Sequence, residues 1–220
     1  MAVSATAGLT QGVVLHARPL RENSRVLDLL TAEAGRLSAV VRGKAGSVQP
    51  FVLLDLAWRG RGELPTLNVA EQQRVFPLTG RALVCGLYLN ELILRLYPRD
   101  APIPEALPAL LSAYARLAAR ERADTVLRRA EWALLAPLDS GLEHVDPAEL
   151  DPDAWYRYDP EAGVERVAAG RSEAIPGVAL QALASACDVP DNQARVSRDF
   201  MRRLIDTHLA GRPLRTRGLL

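Results

Sequence analysis

The amino-acid sequence predicts an α+β protein in which an N-terminal five-stranded barrel of the OB-fold type is followed by an α-helical domain. Two observations support this. Between residues 12 and 75 the chain consists of short β-type runs separated by turn signals, with no strong helical pattern between them. After Pro77 and Gly80 the apolar residues follow helical spacing. We therefore expect an OB-fold domain at about 8–78 and a helical domain at about 80–220.

The predicted strands are short runs rich in Val, Leu and Ala, and turn signals such as Ala34-Gly35 separate them. The runs lie at 12–18, 25–31, 36–42, 51–58 and 66–75. Five strands within about 65 residues suggest a small closed barrel, and the OB-fold is a five-stranded solution of that kind.

The helical part begins with a segment at 81–97 that is apolar on nearly every face, which predicts a buried central helix. Further helices are predicted at 109–122, 125–135, 177–187 and 193–209. The stretch at about 139–177 is rich in Asp, Pro and Gly and is interpreted as an insert of loops around a short hairpin. A basic tail follows at 212–220.

The net charge of +1 conceals an uneven charge distribution. Residues 1–80 carry nine basic and six acidic side chains, residues 139–175 three and ten, and residues 195–217 seven and two. Of the 27 basic residues, only Lys44 is not Arg. Arg suits bidentate phosphate contacts, although codon bias in a GC-rich genome explains the same excess. Two basic ends with an acidic segment between them are compatible with a polyanionic partner.

No catalytic constellation is present in the sequence. His16, His144 and His208 fall in three different predicted elements, with no carboxylate at metal-ligand spacing. Gly43-Lys44 fails the phosphate-loop pattern, because that pattern requires a Gly five residues before Gly43 and Ser or Thr after Lys44. The sequence therefore predicts a binding protein with no enzymatic activity, cofactor or metal.

The two cysteines, Cys85 and Cys187, are too few and too far apart for a zinc site and do not suggest a disulfide framework. Residues 1–7 lack a signal-peptide pattern, and the apolar run at 83–96 is too short and too polar to span a bilayer. We expect a cytoplasmic protein that does not bind membranes.

The barrel carries a modest nucleic-acid-binding signal. Four basic residues are expected at strand ends and loops, namely Arg42, Lys44, Arg59 and Arg61. Basic grooves with aromatic platforms bind single strands, and Phe51 and Trp58 are the nearest aromatic residues. They are an odd number of residues apart, so a regular strand would place them on opposite faces. At least one of them is therefore expected in the core.

The helix predicted at 125–135 has an apolar stripe that includes Leu127, Ala130 and Leu134, with Arg128 and Arg129 beside it. Such an arginine pair is either an ordinary solvated face or a clamp for a peptide carboxylate docked in an apolar groove. The residues alone leave both interpretations open.

An ordered set of segments resembles the RecO family of bacterial DNA-repair proteins over nearly the whole chain. The most recognisable is Gly86–Leu92 (GLYLNEL) on the central helix. The other segments are Val13–Ser24, Leu27–Arg36, Val41–Gly43, Gln49–Phe51, Gly60–Glu63, Leu67–Glu71, Leu127–Leu135 and Gly211–Arg217.

The resemblance implies a protein that binds single- and double-stranded DNA and anneals complementary strands. It further implies that the protein acts with RecR to load RecA onto DNA coated by single-stranded DNA-binding protein (SSB). This activity would take place at the bacterial nucleoid. The acidic, Phe-terminated tail of SSB would dock on the helical domain, where Arg128 takes the position of an Arg that meets the tail's carboxylates. Arg129, Leu127 and Leu134 are expected beside it.

Three departures from the family pattern affect these expectations. The segment 139–175 has no Cys, which implies the zinc-free type. The basic loop after the third strand is reduced to Lys44–Val48, and Ala130 stands where relatives often have an aromatic residue. The short loop shifts expected DNA contacts to Arg59, Arg61 and the C-terminal part, where the expected contacts are Arg202, Arg203, Arg215 and Arg217. An OB-fold RNA-binding module and a protein-binding adaptor are the alternatives.

Overall fold

The structure, a computed structural model, describes residues 8–21, 23–43, 48–60, 62, 64–138 and 140–220, with only the backbone of Arg21. Five strands form the first part of the chain. They are β1 (Thr10–Arg21), β2 (Ser24–Thr31), β3 (Gly35–Arg42), β4 (Val52–Arg59) and β5 (Thr66–Val75). They close into a barrel of order β1-β2-β3-β5-β4, with β1 paired to β4 and β3 meeting β5 in parallel at Val40 and Thr66. The predicted OB-like barrel is confirmed.

Alternation along the strands separates two apolar faces. Val14 and Trp58 point into the barrel, together with Leu27, Leu29, Leu37, Leu54, Leu56 and Leu67. Val13 and Leu15 flank Val14 and belong instead to the core shared with the helices. One face of β1 therefore fills the barrel and the other supports the helical part.

The second part of the chain is mainly helical. Its helices are α1 (Gly80–Leu96), α2 (Ala106–Ala118), α3 (Ala123–Leu135), α4 (Gly177–Ala184) and α5 (Ala194–Leu209). Between α3 and α4, within the predicted insert, lies a small sheet of β6 (Trp155–Asp159), β7 (Gly163–Val167) and β8 (Ile175–Pro176). The α+β class and the succession of barrel and helices are as the sequence predicts.

Helix α1 connects the barrel to the other helices. Its Asn90 is buried, donates from Nδ2 to the carbonyl of Leu15 over 3.1 Å and accepts a hydrogen bond from Tyr114 on α2. The Phe51 ring lies against Gly86 so closely that an added Cβ there would be 2.6 Å from the ring. Barrel and helices therefore share an apolar core beside the barrel's own interior, and the division into domains at about 8–78 and 80–220 remains a prediction.

Phe51 and Trp58 are both buried, on opposite sides of the barrel wall. Phe51 belongs to the core shared with the helices and packs edge-on against Tyr114 at 5.1 Å between ring centroids. Trp58 lies inside the barrel and is 2% exposed. The odd spacing correctly predicts opposite faces, and neither ring is available as a stacking platform for a base.

Candidate functional site

A cavity of about 390 Å³ lies between α1, α3, α5 and the segment after α5. Six arginines line it: Arg81, Arg128, Arg195, Arg198, Arg202 and Arg217. Only three carboxylates accompany them: Asp124, Glu131 and Asp191. We call it the arginine cavity. The excess of guanidinium groups in a concave site favours an anionic ligand.

The base of the arginine cavity is a buried hydrogen-bonded trio. Arg128 and Glu131 lie one turn apart on α3, and Nη2 of Arg128 donates to Oε1 of Glu131 over 2.5 Å. Tyr88 of α1 donates from its hydroxyl to the same oxygen over 2.8 Å. The Arg128 and Glu131 side chains are 10% and 1% exposed. The trio therefore fixes the orientation of Arg128 at the cavity floor.

Burial raises the pKa of both acidic members of this trio. Desolvation raises the pKa of Tyr88 far above its usual range, so the hydroxyl keeps its proton and acts as a donor. Desolvation also raises the pKa of Glu131, although Arg128 favours the ionised form. Oε2 of Glu131 is buried and has no hydrogen-bond partner among the described residues.

The segment after α5 is anchored by one carboxylate of α1. Glu91 accepts hydrogen bonds from the backbone N–H groups of Arg215 and Thr216, over 3.0 and 2.9 Å, and from the Thr216 hydroxyl over 2.7 Å. Burial opposes ionisation of Glu91, but these bonds outweigh it and hold the pKa of the carboxyl below its ordinary value. The anchor determines where the next residue, Arg217, enters the cavity.

Arg217 reaches the arginine cavity with one edge of its guanidinium unpaired. Its Nη1 donates to Asp206 of α5 over 2.5 Å. Its Nε and Nη2 atoms are buried and have no hydrogen-bond partner within the part of the chain that the structure describes. Nε and Nη2 together form a fork that matches a carboxylate. Since both atoms are closed to solvent, a ligand carboxylate would satisfy them only after the guanidinium turns toward the cavity.

The predicted partner residues on α3 have different surroundings. Arg128 and Leu127 line the arginine cavity, Leu127 with 5% exposure. Arg129 faces away and forms an ion pair with Asp188 over 2.5 Å. Leu134 has no exposed surface, so it cannot touch a partner in this conformation. The prediction that Leu134 contacts a partner is therefore wrong for this conformation. The apolar stripe of α3 is wider than the face that borders the cavity, and the part that includes Leu134 packs inside the helical core.

The described members of the predicted DNA-binding set lie on several elements. Arg42 and Arg59 are exposed at the ends of β3 and β4, and Arg215 is exposed after α5. Arg203 donates to the carbonyl of Glu173 over 2.9 Å. Arg202 and Arg217 line the arginine cavity with Arg128, so the structure brings two predicted DNA contacts into the predicted peptide site. Lys44 and Arg61 lie outside the described residues.

Sequence reasoning missed Tyr88, Arg81 and Glu131 as members of this site. The spacing of Glu131 three residues after Arg128 was a usable signal, because such pairs meet on a helix face. Tyr88 and Arg81 carried no comparable signal, since their approach to α3 depends on helix packing.

Comparisons with known proteins agree with this architecture. The family model described as "Recombination protein O N terminal" matches residues 7–76. The DNA repair protein RecO of Pseudomonas aeruginosa (strain LESB58) is 40% identical over 214 residues, covering 94% of this chain and 91% of the relative. The DNA repair protein RecO of Halorhodospira halophila is 38% identical over 219 residues, covering 94% and 93%. The chain belongs to the RecO family of DNA repair proteins.

Membership of the RecO family confirms the resemblance carried by the ordered segments. The family model ends at residue 76, within four residues of the start of α1 at Gly80, and the two relatives extend the match across the helices. The arginine cavity therefore lies in a part of the chain that RecO relatives share.

Metal-binding clusters and membrane-spanning helices are absent from the part of the chain that the structure describes. No group of three or more His, Cys, Asp or Glu side chains among the described residues could hold a metal ion. None of the helices there is long and apolar enough to cross a membrane. Cys85 is buried and Cys187 exposed, and both are free thiols.

Proposed function

We propose that this chain is a recombinational-repair mediator without enzymatic activity. It binds single- and double-stranded DNA, anneals complementary strands and works with RecR to load RecA onto DNA coated by SSB, in the bacterial cytoplasm at the nucleoid. The observation that carries this proposal is the arginine cavity, in which Arg128 lies beside Leu127 at the floor of a basic concavity.

The cavity suits an acidic peptide that ends in an aromatic residue, as the tail of SSB does. Six arginines against three carboxylates provide the charge complement for acidic residues. Leu127, Val189 and Ala194 provide an apolar wall for the terminal side chain. Arg217 lines the same cavity and adds a guanidinium whose Nε and Nη2 have no partner within the described residues. Ala130 is buried, so the small side chain at this position leaves no solvent-exposed gap in the cavity floor.

Peptide binding tests the proposal directly. A fluorescent acidic nonapeptide ending in Phe is titrated with the full chain and with Arg202→Gln, because the exposed Arg202 side chain has no hydrogen bond or ion pair within the described residues. We expect the variant to bind roughly tenfold more weakly, equivalent to one charged hydrogen bond.

The matched control is Arg171→Gln, an exposed arginine that does not line the cavity. It should bind the peptide like the original chain. Removing the terminal Phe from the peptide should weaken binding further. Unchanged affinity for Arg202→Gln and for the shortened peptide would locate tail docking elsewhere.

DNA binding is proposed to depend on phosphate contacts from exposed arginines, including Arg42 and Arg59 of the barrel. Phe51 and Trp58 are buried, so we propose no stacking of bases on them. We therefore expect affinity for single strands to fall steeply with salt and to depend little on sequence. A strand-annealing assay with and without SSB tests the activity, and preference for RNA over single-stranded DNA in competition would favour an RNA-binding module instead.

A further inference from the structure

A second concave site lies where the barrel, α1 and the segment after α5 meet. Its volume is about 480 Å³. Five cationic or titratable basic side chains line it: His16, Arg36, Arg95, Arg99 and Arg215. We call it the junction groove. We propose that the junction groove holds the phosphate backbone of single-stranded DNA. This inference rests on the proposed DNA binding and identifies where on the molecule it occurs.

Both carboxylates in the junction groove already have other partners. Asp28 accepts a hydrogen bond from the Ser38 hydroxyl over 2.6 Å, and its side chain is only 14% exposed. Arg99 and His16 approach this one carboxylate to 3.6 and 3.8 Å. Glu91 accepts its three hydrogen bonds from the segment 215–216. Four arginines therefore share two carboxylates that are already largely occupied.

Arg36 and Arg99 repel each other across the groove. Arg36 is half-buried and donates from Nη1 to the carbonyl of Leu94 over 3.0 Å, so the fold holds its guanidinium in place. Burial lowers the pKa of Arg36 and the positive charge of Arg99 lowers it further, while Asp28 and Asp100 compensate only in part. An anion bound near both groups would offset this repulsion, as a phosphate does when it bridges two guanidinium groups.

Hydrogen-bond donors remain available at the rim of the groove. Arg95 and Arg99 stand 3.6 Å from their carboxylate neighbours and are 35% and 47% exposed. Within the described residues the side chains of Arg95, Arg99 and Arg215 form no hydrogen bond. These arginines come from α1, the loop after it and the segment after α5, so their charges are spread along the groove. An extended polyanion fits this distribution.

Apolar surface in the groove also suits a nucleic acid. Leu87 of α1 is 36% exposed and lies with Leu94 in the groove wall. Sugars and base edges can pack on such a wall while phosphates contact the arginines. The groove borders β1, β2 and the start of β3 at Arg36, so a strand bound there would run along the barrel's junction with α1.

Two double variants of the full chain test the groove. Arg99→Gln/Arg215→Gln removes two exposed rim charges, and Arg120→Gln/Arg171→Gln removes two exposed arginines that line neither cavity. Binding of a fluorescent thymidine 15-mer is measured by anisotropy from low to moderate salt. The slope of log affinity against log salt should become shallower by roughly 0.7 for each phosphate left without its arginine, about 1.4 for the groove variant. Its low-salt affinity should fall at least tenfold, and the control should match the original chain.

Failure of the groove and failure of DNA binding give different results. If the original chain does not bind the oligonucleotide at low salt, the proposed DNA binding fails. If the original chain binds and the groove variant binds with the same affinity and slope, the junction groove is overturned while DNA binding stands. The groove variant should also keep its affinity for the acidic nonapeptide. A selective loss of peptide binding would overturn the assignment to DNA, and equal melting temperatures confirm that both variants are folded.

Discussion

The guanidinium of Arg128 and the carboxylate of Glu131, one turn apart on α3, form an ion pair with almost no contact with solvent. Tyr88 adds a hydrogen bond to the same carboxylate. Arg128 is therefore both a structural residue and the floor of the arginine cavity. A loss of binding in an Arg128 variant has two possible causes, and experiments must separate them.

Arg128→Ala is expected to lower the free energy of unfolding by about 3–5 kcal/mol, because it leaves a buried carboxylate without its partner. It should also weaken binding of the acidic nonapeptide. Urea unfolding and peptide anisotropy measure the two effects.

The double variant Arg128→Met/Glu131→Leu separates them. Replacing both charges by apolar groups should restore most of the stability, since a buried pair and an apolar replacement are often similar in energy. Peptide binding should stay weak. Recovery of peptide affinity along with stability would mean that Arg128 acts only through folding.

Glu91→Gln should loosen the segment that carries Arg217. The pKa of Glu91 is lowered from its ordinary value of 4.5, so its ionised form stabilises the fold above that pH. This contribution is lost as the pH falls through the lowered pKa. We expect the variant to be about 1.5–3 kcal/mol less stable at pH 7, with a smaller difference at pH 3. Urea unfolding at both pH values measures it, and an equal difference at both would exclude an ionised anchor.

Gly35→Ala should be much more damaging than Gly43→Ala. Both glycines have positive φ, +66° and +79°, so each substitution carries a conformational cost of roughly 1–2 kcal/mol. A Cβ at Gly35 would also lie 2.2 Å from the backbone oxygen of Ala101, whereas no atom of the described residues lies within 4 Å of one at Gly43. Comparing the two by thermal unfolding isolates the contact between the barrel and the loop after α1. Equal destabilisation by the two substitutions would contradict the close approach of Gly35 to Ala101.

Arg217→Gln should affect peptide binding more than DNA binding. Its side chain lines the arginine cavity, and its Nη1 pairs with Asp206. We expect roughly a tenfold loss of peptide affinity and no change in the salt dependence of binding to the thymidine 15-mer. A shallower salt slope in this variant would return Arg217 to the DNA contacts.

Much of the fold could be predicted from local patterns. Alternation and turn residues indicated five strands, and the structure has five in a closed barrel. The odd spacing of Phe51 and Trp58 indicated opposite faces, which the two separate cores confirm. The strands depend on the two-residue repeat of the extended backbone, a local property, whereas Phe51 precedes β4 with a φ of +64° and owes its orientation to that turn as well.

The candidate site was less predictable. Leu134 belongs to the same apolar stripe as Leu127, and only the packing of α3 against its neighbours distinguishes the buried residue from the cavity residue. Arg202 and Arg217 were predicted to contact DNA, and nothing in the sequence indicated that they line one cavity with Arg128. Helix crossing angles depend on interdigitating side chains from distant segments, so periodicity within one helix does not specify them.

By itself the sequence determined the order of barrel and helices, the opposite orientations of Phe51 and Trp58, and the family to which the chain belongs. Only the tertiary structure decided that Tyr88 meets the Arg128–Glu131 pair, that Arg217 lines the same cavity, and that Glu91 anchors the segment leading to Arg217. The reason is the range of the interactions. Hydrogen-bond periodicity and turn chemistry act over a few residues, whereas these contacts join residues from about 40 to 125 positions apart once the helices have packed.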